Sequence, residues 1–146
     1  MAKHILVPID GSPLSYRALR HALDTCPDAE VTVLHVSDLF SGGRGTDGDS
    51  VYEPLIGSEE WYAMEQKAAE ELLSEAEAVA ADYDREVTTD SEIGDPQRVI
   101  PDYARDHDID HIVLGVHGRE EEDRSLFGRV AESVVYRAPV SVTVIR

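Results

Sequence analysis

The chain contains very little lysine. Only Lys3 and Lys67 are lysines, and all cationic residues together number 13 against 30 acidic ones, which gives a formal charge of −17 over 146 residues. A nucleic-acid backbone or an anionic membrane repels such a surface, so we expect neither as a partner. The composition is typical of proteins that work at molar salt, as in the haloarchaea. At molar salt the Debye length is about 3 Å, so the repulsion between the acidic side chains is largely screened.

Cysteine and long apolar runs are also scarce. Cys26 is the single cysteine, which excludes an internal disulfide. The longest apolar run, near Ile112 to Val116, has the length of a strand and falls far short of the roughly 20 residues that span a bilayer. No charged and then apolar leader precedes the first strand. We therefore expect a cytoplasmic protein that does not insert into membranes.

Strand-like and helix-like segments alternate along the chain. The five strand-like segments are Ile5 to Ile9, Val31 to Val36, Glu86 to Glu92, Ile109 to Gly115 and Val140 to Ile145. Helical patterns fill the intervals, and this alternation predicts βαβ units with a parallel sheet. The length suits a single domain over residues 1–146.

Two helices show a capping residue followed by proline at the first helical position. Ser12 with Pro13 begins the first helix, and Asp95 with Pro96 begins the third. Pro101 removes one helical hydrogen bond, so we expect a bend or a short 3₁₀ start there.

The longest helix is predicted from about Ser58 to Tyr83. Apolar residues recur in it at steps of three and four, which predicts one buried face. They are Trp61, Met64, Ala68, Leu72, Ala76, Val79 and Tyr83.

The segment from Leu114 to Val130, LGVHGREEEDRSLFGRV, carries three glycines between a strand and the last helix. Without a Cβ, Gly115, Gly118 and Gly128 allow the backbone to approach a ligand closely. A helix that begins near Gly128 would direct unpaired N–H groups and its positive dipole end at an anion. The pattern therefore favours a phosphate-binding turn.

Together with the opening HILVPIDGSPLSYRAL and the pair His35-Val36, this segment resembles the universal stress protein family over essentially the whole chain. Gly115 begins the pattern G-x-x-G, nine residues, G, which is similar to the nucleotide signature of the family's ATP-binding branch. Arg129 stands where that branch has serine or threonine.

The resemblance implies a fold and a place for the ligand. The fold would be a three-layer α/β sandwich, Rossmann-like or flavodoxin-like, with a five-stranded parallel sheet in the order 3-2-1-4-5. Strand order then reverses between strands one and four, where ligands of such sheets bind at the carboxyl ends. The turn after strand one would lie beside the Gly115 turn.

By position in the family's motifs, the resemblance also assigns binding roles. Asp10 would contact the adenosine portion, and Val36 would offer backbone atoms to adenine. The full set of implied nucleotide-binding residues is Pro8, Ile9, Asp10, Val36, Leu114, Gly115, His117, Gly118, Arg119, Gly128, Arg129 and Val130.

Each role has a plain structural alternative. Asp10 could only stabilise the Asp-Gly turn before the first helix. Gly115 could serve packing at a strand end, and Gly128 a helix entry. The Arg129 guanidinium could pair with phosphate, at about 1.5–3 kcal/mol for a charged hydrogen bond, or could fill the phosphate site.

The resemblance favours a homodimeric stress-response or signalling module that binds ATP or AMP, with or without Mg²⁺. The alternative is a dimeric interaction protein of the same fold whose phosphate site Arg129 closes. The dimer would form through the last strand, Val140 to Ile145, because an uncovered sheet edge invites pairing. We predict no catalytic residues and no metal site; the chain has no Walker A motif, so hydrolysis of ATP would be slow or absent.

Overall fold

The structure, a computed structural model, describes residues 3–38, 55–116 and 126–146. Strands and helices alternate strictly over these ranges. The elements are β1 His4–Pro8, α1 Pro13–Thr25, β2 Glu30–Asp38, α2 Glu59–Ala81, β3 Thr88–Gly94, α3 Pro96–Asp106, β4 His111–Gly115, α4 Leu126–Arg137 and β5 Ser141–Ile145. All five predicted strands are confirmed, with ends that differ by up to two residues.

The five strands form one sheet in which every pairing is parallel. Their order is β3-β2-β1-β4-β5, as predicted. After β1 the chain adds β2 and β3 on one side of β1, and then β4 and β5 on the other side. The carboxyl ends of β1 and β4 are therefore neighbours at the point where strand order reverses.

The sheet is covered on both faces, and β1 shows why. Its residues alternate, so that Ile5 and Val7 pack with α1 and α2 while Leu6 packs with α3 and α4. All three side chains are fully buried. The predicted three-layer sandwich is confirmed, and the apolar character of the central strands follows from their burial on both sides.

Side-chain caps begin the helices where the sequence indicates. The Ser12 Oγ accepts a hydrogen bond from the Ser15 N–H at 3.2 Å, and the Asp95 Oδ1 accepts one from the Gln97 N–H at 3.0 Å. The expected 3₁₀ start of α3 is wrong, because α3 is α-helical through Pro101. Pro101 lies near the start of the helix and deprives only the Gln97 carbonyl of its helical donor.

The predicted buried face of α2 is partly wrong. Trp61 and Ala76 are buried, but Met64 is 56% exposed and Ala68 is also exposed. Ala69 and Ala80, which the prediction did not include, are buried. Small alanines allow a helix to approach its neighbours closely, whereas the hydrophobic pattern favours the larger apolar side chains. None of the described helices combines the length and apolar character needed to span a membrane.

Candidate functional site

A small crevice opens at the carboxyl edge of the sheet. Four elements form it: the ends of β1 and β2, the start of α3, and α4. Its lining residues are Pro8, Ile9, Asp10, Leu34, His35, Val36, Asp38, Pro96, Ile100 and Val130. These residues come together because parallel strands all end at the same edge and the helices that follow begin there.

Five of the residues predicted from sequence meet in this crevice, namely Pro8, Ile9, Asp10, Val36 and Val130. Gly128 and Arg129 lie in the first turn of α4, next to Val130. Leu114 is buried in the core beneath the strand ends. His117, Gly118 and Arg119 lie outside the described residues.

Asp10 stabilises the turn between β1 and α1. Its Oδ1 accepts a hydrogen bond from the Ser12 N–H at 2.9 Å, as expected for the structural alternative. The side chain is nevertheless exposed at the crevice, and its second oxygen has no hydrogen-bond partner among the described residues. One carboxylate oxygen therefore holds the turn while the other faces outward and can accept a hydrogen bond from a ligand hydroxyl.

His35 joins the two central strands beneath the crevice. Its side chain is 6% exposed, and its Nδ1 lies 3.1 Å from the Ile9 carbonyl oxygen. The Ile9 N–H donates to the Leu34 carbonyl at 2.9 Å, so pairing continues past the end of β1. Sequence reasoning placed His35 at a strand end without giving it a role in the site. These contacts fix the positions of Ile9 and Val36 relative to each other.

The start of α3 forms a wall that sequence reasoning also missed. Pro96 and Ile100 lie one turn apart on α3 and line the crevice with Val36. The capping residue Asp95 with Pro96 could have indicated this wall, because the pair marks the start of a helix. A helix that follows a parallel strand begins at the carboxyl edge of the sheet. The walls are thus largely apolar, and the carboxylates of Asp10 and Asp38 stand at the strand ends. The crevice encloses about 50 Å³.

Gly115 serves close packing between β4 and α1. A Cβ on this glycine would lie 2.9 Å from the Leu14 Cβ and 3.1 Å from the Leu14 carbonyl carbon and oxygen. Gly115 does not have a positive φ. The packing alternative therefore accounts for this glycine without a ligand.

Fold and site together define an open, doubly wound α/β protein with a crevice at the carboxyl ends of its parallel strands. The model of the Universal stress protein family matches residues 1–146. The chain belongs to this family, whose members are generally non-enzymatic stress proteins.

Relatives in two domains of life cover nearly the whole chain. A universal stress protein of Methanocaldococcus jannaschii is 30% identical over 146 residues, which are 99% of this chain and 82% of that protein. The structure of universal stress protein UspA from Lactobacillus plantarum has a TM-score of 0.72 at 31% identity and covers 99% of this chain and 97% of its own. Because relatives come from archaea and bacteria alike, they give no support to a haloarchaeal source.

One related structure was solved with a nucleotide. The universal stress protein of Archaeoglobus fulgidus, in complex with dAMP, is 26% identical with a TM-score of 0.63 and covers 100% of this chain and 98% of its own.

Proposed function

We propose that this protein is an adenine-nucleotide-binding module of the stress response or of signalling, which takes ATP or AMP, with or without Mg²⁺, at the crevice. The observation that carries the proposal is the meeting of the β1 turn, the end of β2 and the first turns of α4 at one edge of the sheet. The dAMP complex of the Archaeoglobus relative supports the same ligand class.

The crevice offers a separate contact for each part of a nucleotide. Val36, Ile100 and Pro96 form apolar walls for a flat base. The free oxygen of Asp10 is an acceptor for a ribose hydroxyl. The N–H groups in the first turn of α4, up to that of Gly128, have no partners within their helix and can donate to phosphate. Since the crevice is small, the phosphates would lie outside it along the strand ends.

The position of Arg129 bears on the two functions considered from the sequence. Its side chain is exposed, does not line the crevice and pairs with no described carboxylate. This arrangement favours an open site, because an arginine that closed the phosphate position would lie across the helix start. From its exposed position the guanidinium can swing to a phosphate and form charged hydrogen bonds.

Calorimetry with AMP and ATP on protein freed of nucleotide tests the proposal. We expect micromolar binding in KCl with Mg²⁺. Val36→Phe should weaken it at least about 10-fold, because the larger ring fills the crevice and removes contacts equivalent to about 1.4 kcal/mol. Val79→Phe, at a half-buried position on α2 away from the crevice, is the matched control.

Arg129→Ser separates the alternative function from the proposed one. If the wild type binds no nucleotide and Arg129→Ser does, the arginine closes the site and the protein acts as an interaction module. If Arg129→Ser binds ATP more weakly than the wild type but AMP nearly as well, the guanidinium contacts the outer phosphates.

We also propose that the protein works as a homodimer in the cytoplasm, joined through Val140 to Ile145. Among the described strands, β5 pairs only with β4 and so leaves one edge open. Val135 on α4 is 51% exposed and lies about 200° around the helix from Arg137, which faces α3. Val135 is therefore on the β5 side of α4, where a partner across β5 would cover it.

Light scattering after gel filtration measures this association. We expect a dimer for the wild type and a shift toward monomer for Val135→Glu, because that change buries a charge in the contact. Ala68→Glu, which introduces the same charge at an exposed position on α2, away from β5, should leave the dimer intact. A monomeric wild type at tens of micromolar would contradict the proposal.

The charge pattern supports an intracellular environment of high salt. Of the described cations only Arg105 forms ion pairs, to Asp102 and Asp106, so attraction offsets little of the repulsion. We expect the melting temperature to rise between about 0.1 and 1 M KCl as the Debye length falls from about 10 to 3 Å. Sorbitol is the uncharged control, and a melting temperature that does not respond to KCl would contradict the prediction.

A further inference from the structure

A second cavity lies on the outer side of α3, away from the crevice. It encloses about 290 Å³ between the exposed face of α3 and the connection from α4 to β5. Its lining includes Arg98, Arg105 and Arg137, and we call it the arginine groove. It shares no lining residue with the crevice.

The arginine groove concentrates positive charge in a strongly acidic protein. The whole sequence has 13 cations against 30 acids, yet three arginines meet here. Asp102 is the acidic residue among the described residues that line the groove. Neither Arg98 nor Arg137 forms an ion pair with any described residue. The guanidinium groups of Arg98 and Arg137 are therefore available to an anion, which would also reduce the repulsion between them.

Helix electrostatics explain two of the arginines but not the third. Arg105 and Arg137 lie in the last turns of α3 and α4, where a cation is favourable. Arg98 lies in the first turn of α3, at the positive end of the helix dipole, where a cation is unfavourable. Neither its helix nor an ion pair accounts for Arg98, and its guanidinium is therefore available to a bound anion.

One of the three guanidinium groups is already fixed. The Arg105 Nη1 lies 3.3 Å from the Asp102 Oδ1, and its Nε lies 3.1 Å from the Asp106 Oδ1. The exposed side chains of Arg98 and Arg137 can adjust around a ligand. One guanidinium group held by carboxylates, together with two that can adjust, suits an anion with several oxygen acceptors. Guanidinium pairs with phosphate through parallel hydrogen bonds.

We propose that the arginine groove binds a small anion that carries a phosphate or diphosphate group, either free or on a small metabolite. The volume of about 290 Å³ lies at the lower end of the range for small-molecule sites. This site is additional to the nucleotide crevice and does not depend on it.

Calorimetry with inorganic pyrophosphate tests the proposal, with ionic strength held constant by KCl. We expect saturable binding, weakened at least about 10-fold by Arg98→Gln and by Arg137→Gln, since each removes a charged hydrogen bond. Glucose 6-phosphate serves as the second probe, and binding of both probes identifies the phosphate group as the recognised feature. Binding of pyrophosphate alone would restrict the site to free diphosphate.

Two control variants separate binding in the groove from a general charge effect and from binding in the crevice. Lys67→Gln removes one positive charge from an exposed position on α2; if it weakens binding as much as Arg98→Gln, the effect is general charge and the proposal is wrong. Arg129→Gln changes the nucleotide site; if it alone abolishes binding, pyrophosphate occupies the crevice and the proposal is wrong. Absence of pyrophosphate binding by the wild type also overturns it, whereas AMP binding should be unchanged in Arg98→Gln and Arg137→Gln.

Discussion

Gly115→Ala is expected to lower the free energy of unfolding by about 1–3 kcal/mol, with a larger loss for Gly115→Val. The new Cβ would lie 2.9 Å from the Leu14 Cβ and 3.1 Å from the Leu14 backbone. Such distances force α1 away from β4, and the displaced contact belongs to a buried strand end. Urea unfolding followed by circular dichroism measures the change. For a chain of this length each kcal/mol corresponds to about 2–4 °C in melting temperature.

A double-mutant cycle with Leu14→Gly identifies the cause. Removing the Leu14 side chain relieves the shortest contact but leaves the two contacts to its backbone carbon and oxygen. We therefore expect partial rescue of Gly115→Ala, with Leu14→Gly alone as the reference. If Gly115→Ala is as stable as the wild type but fails to bind nucleotide, the glycine is required by the ligand and the packing role is wrong.

Arg85→Met is expected to destabilise the protein by about 2–4 kcal/mol, from the loss of two charged hydrogen bonds. The Arg85 Nη1 donates to the Leu23 carbonyl at 2.9 Å, and its Nη2 donates to the Ala29 carbonyl at 2.6 Å. These contacts hold the end of α1 and the start of β2 to the segment before β3. The last turn of α1 has no basic residue of its own, so Arg85 supplies the cation that this helix end favours.

Two other substitutions separate hydrogen bonding from net charge. Lys67→Met also removes one positive charge but from an exposed position on α2, and it should change stability by less than about 0.5 kcal/mol. Arg85→Lys should recover part of the loss, because an ammonium group cannot match the guanidinium fork at both carbonyls. Equal losses in Arg85→Met and Lys67→Met would attribute the effect to charge alone.

The helix starts were predictable because their signals are local. Ser12-Pro13 and Asp95-Pro96 each place a side-chain acceptor before a proline, and both caps occur as expected. The buried face of α2 was less predictable. Hydrophobicity identified Trp61 and Ala76, but whether Met64 or Ala69 turns inward depends on how α2 lies against its neighbours.

The candidate site was likewise predictable only in part. Motifs in the sequence indicated Asp10, Val36 and Val130, and all three line the crevice. Nothing in the sequence indicated that His35 would join the ends of β1 and β2, or that Ile100 would form a wall. Those contacts bring together residues distant in sequence, so they arise only when the sheet and α3 have assembled.

The sequence by itself determined the family, the order of elements and the two-sided burial of the sheet, because alternation, caps and glycine spacing act over a few residues. Only the tertiary structure decided that Gly115 packs on Leu14, that Arg85 holds α1, and that Arg129 lies exposed beside the crevice. It also brought Arg98, Arg105 and Arg137 together. Such contacts depend on distances between separate elements, which local patterns along the chain do not encode.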